Sequence, residues 1–346
     1  MSARLAAAAL AFLLASAPAP AGAAGPVPDA VADDGAAAQD APGAAVVPAQ
    51  EAPGADAAPA RDAAVPSVAV PSGSDASGTA IYARFVDGLA QRECGDASPR
   101  WRAHYAHVPG QLAAADSEVL PLFGYVVDAL RAAHLPTEYA LIPFVESGYR
   151  PGARGSSGPA GMWQFVAVTA RNHDIPIRGG YDGRLSPVDA TRAAVRYLKT
   201  LHGMFAGDWR LAVMAFNAGE YRVLGALRRH GQRAAAANPE GLHSLSGITR
   251  AYVRKLHALS CLMVEAGADE EWMAALDRPV SRLVALDLAG EPSGLDGYAE
   301  RNGLDPVWLR RLNPAHAGGA GSAPGRKVLV PAGAAAATPP AARMAN

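Results

Sequence analysis

Cysteine, excess charge, long apolar runs and strand periodicity are all scarce in this chain, and each shortage narrows what the protein can be. Two cysteines, Cys94 and Cys261, stand in 346 residues, so at most one internal bridge can form. A net charge of −1 leaves no basic surface to neutralise phosphates, which argues against nucleic acid as the main partner. The local cluster Arg228, Arg229 and Arg233 is read as a solvated helix end. The apolar run near the start is too short to span a bilayer. No cysteine follows it closely, so an acylated-cysteine anchor has no support. Neither a metal-ligand set nor a cofactor motif is found.

What is present divides into unequal parts. Residues 1–23 run from Arg4 through Ala, Leu and Phe to the small residues Ala21, Gly22 and Ala23, the pattern of a cleaved secretory signal. Residues 24–77 are chiefly Ala, Pro, Gly and Asp. Such a stretch buries too little apolar surface to offset chain entropy and reads as a disordered linker. The expectation is an exported protein, periplasmic or cell-wall-associated, with no membrane span.

From residue 78 the pattern becomes helical. Val119, Leu122, Phe123, Val126, Val127 and Leu130 recur at helical spacing after Ser117 and predict a helix ending near Leu135-Pro136. Thr137 is placed to cap the next helix, which carries Tyr139, Leu141, Ile142, Phe144 and Val145 and which Pro143 should kink. Ser186-Pro187-Val188-Asp189 reads as a helix start with a reciprocal cap. Asp208 is expected to cap a helix from Trp209 to Phe216 that meets Gly219, and a last helix begins near Thr249. Strand signals are weak before residue 277 apart from a short ribbon within 171–181. The expected fold is mainly α.

The most informative residue is Glu146, followed by Ser147 and the turn formers Gly148, Pro151 and Gly152, which should leave the carboxylate at a rim instead of inside a bundle. A lone Glu at a helix end is ordinarily a solvated charge or the partner of an arginine, here Arg150 or Arg154; its flanking residues are what single it out. Burial against Phe144, Tyr149 and Trp163 would raise its pKa and suit it to act as a general acid. Gln164 and Asn217 each offer an amide donor and acceptor that can hold a sugar, and Met162 and Trp163 could wall pyranose faces. Tyr252 could reach the acid, or could be a core tyrosine. Asp174, Asp182 and Asp189 read as turn or cap residues.

Four segments in order carry a family resemblance: Leu141 to Tyr149 (LIPFVESGY), Gly161 to Phe165 (GMWQF), Ala215 to Gly219 (AFNAG) and Thr249 to Val253 (TRAYV). The region of about residues 80–275 resembles the family 1 lytic transglycosylases of MltD type. The resemblance implies a goose-lysozyme-like α-helical (SLT) catalytic domain over residues 78–275, acting on peptidoglycan glycan strands at the β-1,4 bond between N-acetylmuramic acid and N-acetylglucosamine. It makes Glu146 the single acid and then base, giving a 1,6-anhydro product without water. The two-carboxylate rule for glycosidases admits such substrate-assisted exceptions. The implied substrate contacts are Ser147, Ser156, Ser157, Met162, Trp163, Gln164, Phe216, Asn217 and Tyr252.

Three positions depart from the family pattern: Phe216 replaces a tyrosine, Gly155 a serine, with Ser156 and Ser157 adjacent, and Ile248 a glutamate. Two other functions therefore stand beside the first: a goose-type muramidase that hydrolyses the same bond, and a catalytically degenerate peptidoglycan-binding protein. Glu138 and Glu220 are further acids but match no catalytic position. Cys94 and Cys261 bracket the catalytic region and could pair in an oxidising compartment. A bridge closing so long a loop is worth about 4–5 kcal/mol on the chain-entropy model; two unrelated buried thiols are the other reading.

Beyond Asp277 the composition shifts. A strand from Arg282, two short helices within 295–312 and a closing strand at 326–330 predict a small βααβ module over residues 280–332. With Leu309-Arg310-Arg311-Leu312-Asn313-Pro314 it resembles a divergent LysM module, a peptidoglycan-binding unit. The alternative is a structural cap packed on the catalytic domain. Residues 333–346 read as a disordered tail.

Overall fold

In a computed structural model, residues 75–288, 294–316 and 326–336 are described. The signal reading for residues 1–23, nearly all of the linker reading and most of the tail lie outside them. Every described residue belongs to one compact unit, Ala41–Asn346.

Helices dominate, and side-chain caps start several of them. Ser77 closes the first turn of α1 (Gly78–Asp87) by accepting from the Ala80 N–H. After α2 (Pro99–Tyr105) and α3 (Val108–Ala113), Ser117 accepts from Leu120 N at the head of α4 (Val119–Ala132). The apolar positions of α4 meet as expected: Phe123, Val126, Val127 and Leu130 are buried, each worth about 1.5–3 kcal/mol relative to exposure. His134, at φ 56°, turns the chain out of the helix.

The next segment departs from expectation. No helix runs unbroken through it: a 3-10 turn, Thr137–Leu141, hands over to α5 (Ile142–Ser147), so Pro143 stands in the first turn of a helix instead of kinking its middle. A missing N–H costs nothing there. Thr137 does not cap; its hydroxyl donates to Phe85 O at 2.5 Å.

Beyond α6 (Ala167–Asn172), the ribbon is β2 (Ile177–Arg178) paired antiparallel with β3 (Tyr181–Asp182). Only half of the reciprocal cap forms at α7 (Pro187–Met204): Ser186 accepts from Asp189 N, but the Asp189 carboxylate accepts from Tyr181 and Arg192. Asp208 caps α8 (Trp209–Ala218) through Arg210 N and Leu211 N. Every residue of α8 except Arg210 is buried, because α7, α9 (Glu220–Arg229) and α10 (Gly247–Ala266) pack around it. A helix buried on all sides is the centre of its domain. Cys94 and Cys261 are joined as a disulfide that ties the loop before α2 to α10.

Two corrections concern the ends. Residues 75–77 form β1 (Asp75–Ser77), which pairs antiparallel with β4 (Pro279–Ser281) beyond α11 (Glu270–Leu276). The linker therefore stops short of residue 77. The expected tail begins instead as α14 (Ala332–Ala336), directly after β6 (Lys327–Pro331). Between them lies the βααβ unit: β5 (Leu283–Asp287), α12 (Gly294–Arg301), α13 (Pro306–Leu312) and β6, with Leu283 opposite Pro331 and Asp287 opposite Lys327. Asn313 fastens α13 to β6, donating to Leu329 O at 2.9 Å and accepting from Leu329 N at 2.7 Å. Val328, Leu329 and Val330 are fully buried because β6 packs against α7, while β5 packs against α4. The small unit is thus docked on the helical domain.

Candidate active site

Glu146 owes its position to the way α5 ends. Gly148 N donates to Phe144 O and Tyr149 N to Pro143 O, a two-bond closure that uses up the last carbonyls. The closure puts Gly148 at φ 62° and Tyr149 at φ 61°. Left-handed backbone at a tyrosine costs roughly 1 kcal/mol, which the Tyr149 hydroxyl offsets by donating to Ala140 O at 2.7 Å. Gln164, across the same site, is also left-handed at φ 50°. Strained residues of this kind gather where geometry serves function.

Glu146 is 3% exposed, deeper than a rim position. Oε1 accepts from the Tyr252 hydroxyl of α10 at 2.5 Å, while Oε2 has no hydrogen-bond partner. Burial dominates and pushes the pKa up to about 7, against the smaller opposing pulls of the Tyr252 hydrogen bond and the Lys255 charge. Near neutrality, Glu146 can therefore carry a proton and also release it.

Glu146 opens onto a cavity of about 660 Å³, within the range of small-molecule sites. Ser147, Arg150 and Gln164 line it with Glu146, as do Glu118 and Leu122 from the α4 region. Trp308, Arg311, Leu312 and Pro314 of the small C-terminal unit form another wall. Two carboxylates thus face the space, and Glu118 is in an ion pair with Arg311. Among the described residues, no group of three or more His, Cys, Asp or Glu side chains is placed to hold a metal ion. No helix among them is long and apolar enough to cross a membrane.

The residues expected from sequence separate into those that reach this cavity and those that support it. Ser147 lines it, but its hydroxyl is engaged with Met162 O at 2.9 Å and Arg150 N at 3.2 Å. Gln164 lines it with Nε2 held by Gly161 O at 2.6 Å. Met162 and Trp163, expected as apolar walls, are each 1% exposed, and Trp163 Nε1 donates to Thr191 on α7. Phe216 is buried among Trp163, Phe165 and Tyr197, and Asn217 is buried beside it on α8. None of these four lines the cavity. Ser156 and Ser157 are exposed on the turn and do not line it either. A side chain at Gly155 would start 3.2 Å from Gln164 Oε1, so the serine-to-glycine departure leaves room beside Gln164.

That turn is held from below. Arg184 donates to Gly158 O and Phe165 O and is paired with Asp182. Gly161, at φ 79°, allows the chain to pass where a Cβ would lie 1.7 Å from Arg184 O. Glu138 and Glu220 are engaged elsewhere, with the backbone N–H groups of Ala90 and Gln91 and with the Tyr197 hydroxyl. Ile248 is exposed in the first turn of α10. Sequence reasoning missed Glu118, Trp308 and Arg311. No local signal could have found them, since only packing brings them to residue 146.

Comparison with known proteins points the same way. Residues 127–238 match the Transglycosylase SLT domain family. Membrane-bound lytic murein transglycosylase D of Escherichia coli is 30% identical over 212 residues, 61% of this chain and 46% of that protein, so the chain spans just under half the length of this relative. A putative tributyltin chloride resistance protein of an Alteromonas species is 32% identical over 169 residues, 49% of this chain and 80% of that protein. Peptidoglycan transglycosylase gp16 of Escherichia phage T7 is 39% identical over 83 residues, 24% of this chain and 6% of that protein.

Proposed function

We propose that this chain, which belongs to the transglycosylase SLT domain family, is a peptidoglycan lytic transglycosylase that cleaves the β-1,4 bond between N-acetylmuramic acid and N-acetylglucosamine. The observation that carries this reading is the state of Glu146, buried with one oxygen held by Tyr252 and the other unpartnered. In the reaction, protonated Glu146 gives its proton to the glycosidic oxygen as the C1–O bond breaks. The substrate N-acetyl group supports the anomeric centre. The carboxylate then takes the proton of the C6 hydroxyl as O6 bonds to C1, closing a 1,6-anhydro ring and restoring the acid. No water is consumed, and one enzyme carboxylate suffices.

The site on this reading is Glu146 as acid and base, Tyr252 as the group that orients it, and Ser147 and Gln164 as polar edges of the cavity. Met162, Trp163, Phe216 and Asn217 are positioning residues behind it. Catalysis is assigned to residues 78–275 and glycan contact to the 280–332 module, with residues 1–23 directing export to the periplasm or cell wall.

Purified sacculi digested with the full chain test the reaction. Mass spectrometry should find 1,6-anhydromuramoyl ends with the parent and none with Glu146→Gln. Reducing, water-added ends would make the protein a muramidase. Binding to sacculi without turnover, unchanged by Glu146→Gln, would make it a glycan-binding protein. Fractionation of cells expressing the chain with and without residues 1–23 tests the export assignment.

A further inference from the structure

The small C-terminal unit does more than cover the helical domain. Its helix α13, capped by Asp305 through Val307 N, turns Leu309 and Leu312 into the core. Trp308, one residue before Leu309 and so about 100° around the helix from it, sits on a different face, where it is half-buried and lines the cavity that contains Glu146. Three contacts hold it there. Pro314 lies against Gly152, 3.8 Å from where a side chain would start. Arg311 is paired with Glu118 at the head of α4. Ala315 and His316 pack on Tyr181, with ring centroids 5.2 Å apart for the histidine.

The cavity lining thus combines an indole with two carboxylates, two side-chain amides and three guanidinium groups. An apolar plate facing hydrogen-bonding edges suits a pyranose, whose C–H face is apolar and whose rim carries hydroxyls. The expected apolar walls, Met162 and Trp163, are buried and do not line the cavity, and of its two lining aromatics Tyr149 is 2% exposed while Trp308 is half-buried.

We propose that Trp308 is a substrate-binding residue, the platform on which a pyranose ring of the N-acetylated glycan stacks beside Glu146, contributed by the C-terminal module as a wall of the active site. The proposal rests on the glycan-cleaving reading above and deepens it.

Two measurements on the full chain separate the two. In the Glu146→Gln background, binding of an N-acetylglucosamine tetramer is followed by calorimetry with and without Trp308→Ala. In the parent, Trp308→Ala is assayed on sacculi. The alanine variant should weaken tetramer binding by about tenfold and raise KM by a similar factor with little change in kcat. Trp308→Phe, which keeps a stacking face, should lose about threefold. Unchanged binding and unchanged KM would overturn the proposal, whatever the reaction is. Absence of product from the parent, with tetramer binding still dependent on Trp308, would overturn the reaction and leave the wall in place. If the alanine variant unfolds, fluorotryptophan-labelled full chain decides: the resonance absent from Trp308→Phe should shift on adding tetramer, and an unmoved resonance sinks the idea.

Discussion

Glu138 and Glu146 stand eight positions apart on one stretch of chain, both buried and both shifted upward in pKa by that burial. Their surroundings make them opposites. Glu138 accepts from two backbone N–H groups, Ala90 at 3.1 Å and Gln91 at 2.8 Å, and so ties the end of α1 to the turn before α5. Glu146 accepts a single bond, from Tyr252, has Oε2 buried without a partner, and lines a cavity. Burial alone does not make a carboxylate reactive. A satisfied one fastens the fold, and a half-satisfied one beside a cavity is available for chemistry.

The largest expected contrast is in turnover. Glu146→Gln should reduce release of sacculus fragments by about 10³-fold or more, while Glu138→Gln should leave kcat close to the parent value at temperatures where it is folded. Equal losses in both variants would erase the contrast.

Stability should respond to pH through Glu146. Its folded pKa, about 7, lies above the ordinary 4.5, so between the two the folded state holds the extra proton. Stability is then highest below about 4.5, falls as pH rises and levels off above about 7. Replacing the carboxyl with an amide removes this penalty, on the order of 3 kcal/mol at high pH. Urea melts of Glu146→Gln should show a shallower pH slope than the parent, and an unchanged slope would mean that the carboxyl is not held near 7. Glu138→Gln should behave differently, because an amide cannot accept from both Ala90 and Gln91 without turning its NH₂ toward one of them. It should destabilise the protein by about 2 kcal/mol, seen as a lower melting temperature.

The smallest effect sharpens the role of Tyr252. The Tyr252 hydroxyl bond favours the ionised form of Glu146, so Tyr252→Phe should move the alkaline limb of kcat/KM upward and lower its plateau by about tenfold. A lowered plateau with an unmoved limb would reduce Tyr252 to packing.

Much of this was legible in the residues. Of the caps read at Thr137, Ser186 and Asp208, the last two form because their short oxygens reach N–H groups two or three residues on, a strictly local interaction, whereas the Thr137 hydroxyl turns to Phe85 O. Pro143 misled because its effect depends on where the helix begins, and a 3-10 turn before it moved that point. Glu146 stood out through its neighbours. Met162, Trp163, Phe216 and Asn217, read as groove-lining, are buried and are not among the residues that line the cavity beside Glu146, because residue type alone does not fix which surface a side chain meets.

The sequence by itself determined most of the helices, the βααβ order of the last unit and the singling out of Glu146, since caps, periodicity and turn formers act over a few residues. Only the tertiary structure decided how that carboxylate is used. Tyr252 reaches Glu146 from 106 positions away, burial by distant elements raises its pKa, and Trp308 and Arg311 arrive from a unit whose docking no local pattern encodes. Those are properties of desolvation and packing, set by whatever the fold brings near.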